Sequence, residues 1–259
     1  MWFDSSDFYM GEPMDKRASA GLGAGVLLLV GLLAGCGGDG DDKDGDGGSS
    51  ADGGAFAEQS YEDIKSQALE AMCDLDSLHV NFEVTAQEQA FTTDLSMSAA
   101  GPCEGTVSVG AATAELLKTE DGAWYKPNAD YLASQYPDQT EQAIKFVDDA
   151  WVTDPEEAVV GGNCDLEGFV DSISDDEDES DTKVAGVEEL DGEQVVKLTY
   201  TNSAGEGAAY VLVDGEHYIV RVETSGDQEG AADFSAFNEE VAPETPAEDE
   251  IVDLADFKG

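Results

Sequence analysis

From residue 78 the chain alternates with a strict period of two. Leu78, Val80, Phe82, Val84 and Ala86 are interleaved with His79, Asn81, Glu83 and Thr85. Successive side chains of a strand point to opposite faces, so this pattern specifies a strand with one buried face. Phe91, Thr93, Leu95 and Met97 repeat it against Thr92, Asp94, Ser96 and Ser98. Thr106–Val109, Ala112–Lys118, Ala123–Tyr125, Val195–Thr201, Ala208–Val213 and His217–Thr224 supply further strands. In the last of these, Tyr218, Val220 and Val222 share a face opposite His217, Arg221 and Glu223. Asp-Gly stands at 121–122, 191–192 and 214–215. That dipeptide favours tight hairpins because both central residues take positive φ. The prediction is a long antiparallel meander with one apolar face.

Helical spacing appears before and between the strand blocks. Ser60-Tyr61-Glu62-Asp63 has the form of a capping box with Asp in place of Glu. Tyr61, Ile64, Ala68, Ala71, Met72 and Leu75 follow at helical intervals. They predict one amphipathic helix of about fifteen residues, covering the sheet. Asn128–Gln135 and Asp138–Ala150 also read as helical, with Tyr131, Leu132, Ala143, Ile144, Phe146 and Val147 available for burial. Asp165–Ile173 makes a third short helix. Residues 175–181 read as a solvated acidic loop. Pro243–Glu250 is an acidic, Pro-containing segment before a short strand at Ile251–Leu254. The order of elements is α+β.

The N-terminal region has a different character. Lys16-Arg17 precede GLGAGVLLLVGLLAGC, Gly21–Cys36, which runs uncharged to its cysteine. A basic flank, a short apolar core and small residues at the end describe an export signal. Leu22–Leu33 is shorter than the roughly 18–20 residues of a spanning helix. LLAGC resembles the lipobox of bacterial lipoproteins. That resemblance implies removal of everything before Cys36, acylation of its thiol, including by palmitate, and anchoring to the extracytoplasmic face of the cell membrane. Asp4, Asp7 and Glu12 are unusual ahead of a signal, and Met14 is the expected translation start. The Lys-Arg pair favours general secretion over the twin-arginine route. Gly37–Gly54 is a Gly/Asp/Ser tether. Its Asp42–Gly47 stretch lacks the glutamate a calcium loop needs at position twelve, where Gly53 stands. The expected division is signal peptide 1–35, lipidated cysteine and linker 36–57, one domain 58–254 and a tail 255–259.

Charge excludes partner classes. The sequence carries 59 acidic against 11 basic residues, a formal net charge of −48, and Arg221 is the one arginine beyond the signal. Nucleic acid binding needs a Lys/Arg footprint to displace counterions, and docking on anionic headgroups needs the same. An acidic surface of this kind suits high salt. About 220 residues follow the signal, enough for one sizeable core.

Motifs for catalysis are not found. The two histidines, His79 and His217, fall on polar faces of predicted strands without a Gly-x-Ser-x-Gly elbow nearby. Neither C-x-x-C nor H-E-x-x-H is present. Trp124-Tyr125-Lys126-Pro127 and Trp151-Val152 could form a sugar platform, but aromatic packing in the core or at a cavity rim explains them better. The expectation is a non-enzyme without cofactor or metal. Of the four cysteines, Cys36, Cys73, Cys103 and Cys164, acylation of the first leaves three for one pair and one leftover.

The segments GPCEGTVSVG, ELLKTEDGAWYKP, NCDLEGFV and GEQVVKLTY resemble those of actinobacterial LppX/LprA/LprF/LprG-type lipoproteins, themselves similar to the LolA/LolB lipoprotein carriers. The resemblance runs from about Tyr61 to Leu254. It implies a curved antiparallel half-barrel sheet covered by a few helices, with an apolar cavity for acyl chains of a lipid or glycolipid. Face alternation would line that cavity with Phe82, Val84, Leu95, Met97, Leu116, Trp124, Leu198 and Val220. Ordinary core packing accounts for each of them equally well. The resemblance also implies a Cys103–Cys164 disulfide with Cys73 left over; Cys73–Cys164 is the rival pairing. The functions it leaves in competition are a lipid-anchored, monomeric carrier of a hydrophobic ligand and a non-catalytic envelope scaffold or sensor with a filled core.

Overall fold

The computed structural model describes residues 53–174, 179–202, 205–226 and 228–257. Helix α1 (Gly53–Ala57) precedes α2 (Tyr61–Cys73). Ser60 starts α2 as expected: its Oγ accepts the Asp63 N–H at 3.2 Å and donates to Asp63 Oδ2 at 2.6 Å. Tyr61, Ile64, Ala68 and Met72 form its buried stripe. The chain then forms β1 (Ser77–Ala86), β2 (Gln89–Ser98), β3 (Cys103–Val109), β4 (Ala112–Thr119) and β5 (Gly122–Pro127). Next come α3 (Ala129–Gln135), α4 (Thr140–Val147), the short β6 (Trp151–Thr153) and α5 (Leu166–Ser174). A second strand block follows: β7 (Ser180–Leu190), β8 (Glu193–Asn202), β9 (Gly205–Leu212), β10 (Ile219–Gly226), β11 (Gln228–Ser235) and, later, β12 (Ile251–Val252).

All twelve strands share one open, curved sheet in the order β12-β6-β5-β4-β3-β2-β1-β11-β10-β9-β8-β7. It is two meanders rather than one, joined where β1 pairs antiparallel with β11. Every neighbour is antiparallel except β12 beside β6. Strands β7 and β11, unmarked by alternation, complete the second meander.

The turns follow backbone geometry more than the dipeptide rule. Asp191 (φ 51°) and Gly192 (φ 92°) close β7–β8 as predicted. At β4–β5, however, Thr119 pairs with Gly122, so the loop is Glu120-Asp121. Asp214-Gly215 lies in the longer connection between β9 and β10. The β1–β2 turn is made by Gln87 (φ 52°) and Glu88 (φ 66°), with no glycine. In β3, Gly105 takes φ 147°, and a Cβ there would run into the Asp94 carbonyl of β2. A strand glycine of this kind lets neighbouring backbones approach where the sheet bends.

The main core lies on one face, under the helices. Ile64 and Met72 of α2, Leu78 and Val80 of β1, Leu95 and Met97 of β2, Leu116 of β4 and Ile173 of α5 are fully buried. Structure extends past both expected limits of the domain. Phe56 is buried and stacks on His217 with centroids 3.7 Å apart. Phe257 packs against Tyr136 and Phe146, both at 5.4 Å. The expected signal peptide, Cys36 and most of the expected tether lie outside the described residues.

Candidate functional site

Six of the eight predicted lining residues come together: Phe82, Val84, Leu95, Met97, Leu116 and Leu198 share the core beneath the helices. Phe82 and Val84 are 5% exposed and the other four no more than 2%. These six side chains leave almost no accessible area, so packed neighbours surround them in the structure.

Trp124 and Val220 do not join them. Trp124 pairs with Leu117 of β4, not with Leu116, and both belong to the other face. There the indole lies over Gly122. Val220 sits at a register shift between Ile219 and Arg221, which sets aside the count by two. Ile219 and Val222 enter the main core, whereas Val220 packs on a small second cluster of Val195, Ala208 and Tyr210. A bulge reorients side chains in this way.

Cys103 and Cys164 are joined, tying β3 to the approach of α5. The described cysteines include no free thiol, so Cys73 is not the expected leftover. The segment leading to Cys164 holds a polar group the sequence did not flag. Asp154 is 6% exposed and accepts the N–H groups of Ala158 (3.0 Å), Val159 (2.9 Å) and Val160 (2.8 Å). One carboxylate thereby closes the turn that leads to Cys164.

The sheet's opposite face carries an open groove of about 1110 Å³ across β7 to β11 and β1. A polar row crosses its floor in register: Lys197, Tyr210, Arg221, Asp233, Asn81. Lys197 Nζ donates to the Tyr210 hydroxyl at 2.6 Å, which donates to Glu223 Oε2 at 2.8 Å. Arg221 donates to Glu223 Oε1 (2.8 Å) and Asp233 Oδ1 (2.7 Å). Burial alone would push the Glu223 carboxyl up, but the Tyr210 and Arg221 hydrogen bonds outweigh it and hold it below its ordinary range. Lys197 is raised chiefly by its bond to Tyr210. The groove is lined by Glu83, Asp181, Glu206 and Glu229 as well as hydroxyls, and is not an acyl-chain site.

The histidines are tied locally. His79 Nδ1 is 3.0 Å from Ser96 Oγ. His217 lies in the loop before β10, with Nδ1 3.0 Å from the Leu212 carbonyl. Under the helices, burial pushes the Tyr131 hydroxyl up to about 12 and raises Tyr125 further. Among the described residues no three His, Cys, Asp or Glu side chains gather as a metal site. None of the helices among them is long and apolar enough to cross a membrane.

The described residues thus form an open curved antiparallel sheet with helices packed on one face. No family model and no curated protein matches the chain. Among solved structures it is similar to LprF from Mycobacterium bovis, with a TM-score of 0.52 at 15% identity over 72% of this chain and 97% of that one. The lipoprotein LppX from Mycobacterium tuberculosis aligns at a TM-score of 0.45 and 16% identity, over 73% and 98% of the respective chains. The likeness to LprF establishes the fold.

Proposed function

We propose that the chain is an extracytoplasmic lipoprotein, anchored to the cell membrane through Cys36, whose domain holds a lipid or other hydrophobic ligand between sheet and helices. The supporting observation is the convergence of Phe82, Val84, Leu95, Met97, Leu116 and Leu198 under the helix layer, in the fold that LprF shares. Burying an acyl chain there would contribute about 0.8 kcal/mol per methylene. Because those six side chains are buried against their neighbours, a ligand reaches them only when the helices part from the sheet. In this reading the protein is a monomer, is not an enzyme and has no nucleic acid partner; its net charge of −48 supports the last point.

The dense packing of that same face favours a second reading, a non-catalytic envelope scaffold or sensor with a permanently filled core. Native mass spectrometry separates the two. Protein purified without detergent from a lipid-containing host should carry adducts of lipid mass that are lost in Leu95→Asp. An adduct-free mass, with no uptake of a fluorescent fatty acid or phospholipid, would leave the scaffold reading standing. Labelled palmitate incorporated by the wild type and not by Cys36→Ser would test the anchor.

A further inference from the structure

Between described residues, one ion pair is unlike the rest. Lys65 Nζ of α2 lies 2.7 Å from Oε2 of Glu179, the residue before β7, and the two side chains are 12% and 9% exposed. Each other pair leaves its carboxylate at least 39% exposed. The Tyr61 hydroxyl, one turn earlier on α2, donates to the same Glu179 oxygen at 3.1 Å. Glu179 Oε1 is buried with no hydrogen-bond partner among the described residues. Glu179 therefore turns inward from the acidic stretch that the sequence marks as solvated.

Burying two charges costs more desolvation than their attraction reliably returns, and an orphaned carboxylate oxygen adds to that cost. Apolar residues would hold a helix on a sheet at least as well. What a directed pair adds is one defined closed position that is lost as a unit when either partner goes. Its place fits that role. Helix α2 packs on α5, β7 and β10, and its buried stripe of Tyr61, Ile64, Ala68 and Met72 contributes to the cover of the apolar face. The other side of the helix layer is held separately, by the Cys103–Cys164 disulfide ahead of α5 and by Phe257 against Tyr136 and Phe146.

We propose that Lys65, Glu179 and Tyr61 form a latch that keeps α2 closed on the β7 end of the sheet, and that its release opens the apolar face to ligand. The second half rests on the carrier reading above; the first does not. The test is native-state hydrogen exchange on the full mature protein, comparing wild type with Lys65→Met and Glu179→Gln. The expected result is about tenfold or greater acceleration of the Ile64–Cys73 amides in both variants, with the β1 and β2 amides around Phe82 and Leu95 unchanged. Equal acceleration everywhere would mean general destabilisation and overturn the latch, as would unchanged exchange in α2. Glu179→Gln, which keeps the shape and an acceptor for Tyr61, guards against a variant that merely fails to fold. Uptake of a fluorescent fatty acid should also be faster in both variants. If α2 exchange accelerates while no form of the protein binds the fatty acid, the carrier reading falls and the latch stands.

Discussion

Cys103 and Cys164 hold β3 and the approach to α5 together across 61 residues of sequence, with Cα atoms 5.7 Å apart. Between them run the β3–β6 strands and helices α3 and α4, so the bond closes a loop around one side of the helix layer. Cross-linking a loop of that length restricts the unfolded chain by roughly 4 kcal/mol in the chain-entropy model. Cys103→Ser/Cys164→Ser should lower the denaturant midpoint accordingly, with a steeper slope because the unfolded chain without the cross-link exposes more surface. Both cysteines are buried, so the native protein should resist mild reductants that reduce the unfolded chain.

Gly105 is where sheet curvature depends on one missing side chain. Its φ of 147° and the Asp94 carbonyl in the path of a Cβ leave no relaxed position for alanine. Gly105→Ala should cost about 2–4 kcal/mol in thermal or denaturant unfolding. Gly192→Ala has open space around its Cβ and only the positive φ to accommodate, so about 1 kcal/mol is expected there. Equal costs at the two sites would mean that the close approach between β3 and β2 is unimportant.

Asp154 satisfies three backbone N–H groups from a buried position. Asp154→Ala orphans all three and should cost about 2–4 kcal/mol, while Asp154→Asn, which keeps one acceptor, should cost less. Urea unfolding of the two variants gives the comparison directly. Both values falling within error of wild type would mean that water replaces the carboxylate there at no cost.

The elements legible in the sequence are those with one buried and one wet face. Ser60, the α2 stripe and the alternation of β1 and β2 specify their structures, because a single periodicity fits each of them. Strand β7 is hidden because it is the sheet's edge and nearly all its residues are at least partly exposed, leaving no buried face to mark. Strand β11 is hidden because Gly230, Ala231 and Ala232 carry little hydrophobic signal between its polar ends. The misassigned cavity residues have their own causes. Leu116 and Leu117 are both buried, since the segment from Ala242 to Glu250 runs beside the outer face there, so alternation could not choose the face of Trp124. The bulge at Val220 is set by its pairing with β9, which no local pattern announces. The latch was equally invisible: Lys65 and Glu179 are 114 residues apart and read locally as ordinary surface charges.

Glu223 gives the groove network a definite pH signature. Its carboxyl is held below the ordinary 4.5 because the Tyr210 and Arg221 hydrogen bonds outweigh the effect of burial. A group whose folded pKa is depressed contributes stability that is fully present above its unfolded pKa and lost as pH falls through the folded one. The stability difference between wild type and Glu223→Gln should therefore be constant from neutrality down to about pH 4.5 and shrink below it. Comparing the two proteins matters, because protonation of the many other carboxylates relieves repulsion over the same range and would mask the effect in wild type alone. A difference that grows on acidification would place the Glu223 pKa above its ordinary value.

The acidic excess sets how this fold responds to salt. With 59 acids, 11 bases and a net −48, carboxylates repel one another across the protein surface. Only a few cations relieve this, and Arg221 is already committed to Glu223 and Asp233. Screening shortens from a Debye length of about 30 Å at 0.01 M salt to about 3 Å at 1 M, so repulsion between surface carboxylates fades over that range. The melting temperature should rise steadily with sodium chloride across it, and dilution to low salt should loosen or unfold the domain. Adaptation to a saline environment predicts this behaviour in full. Buried interactions respond differently: the Lys65–Glu179 pair, shielded from solvent, should keep α2 closed at salt concentrations that already screen the exposed Lys126–Asp149 pair, whose carboxylate is 90% exposed. Hydrogen exchange of α2 that is insensitive to salt while global stability rises would show both effects in one experiment. A melting temperature that falls with salt would instead mean that attractive pairs such as Arg221–Asp233 outweigh the acidic excess.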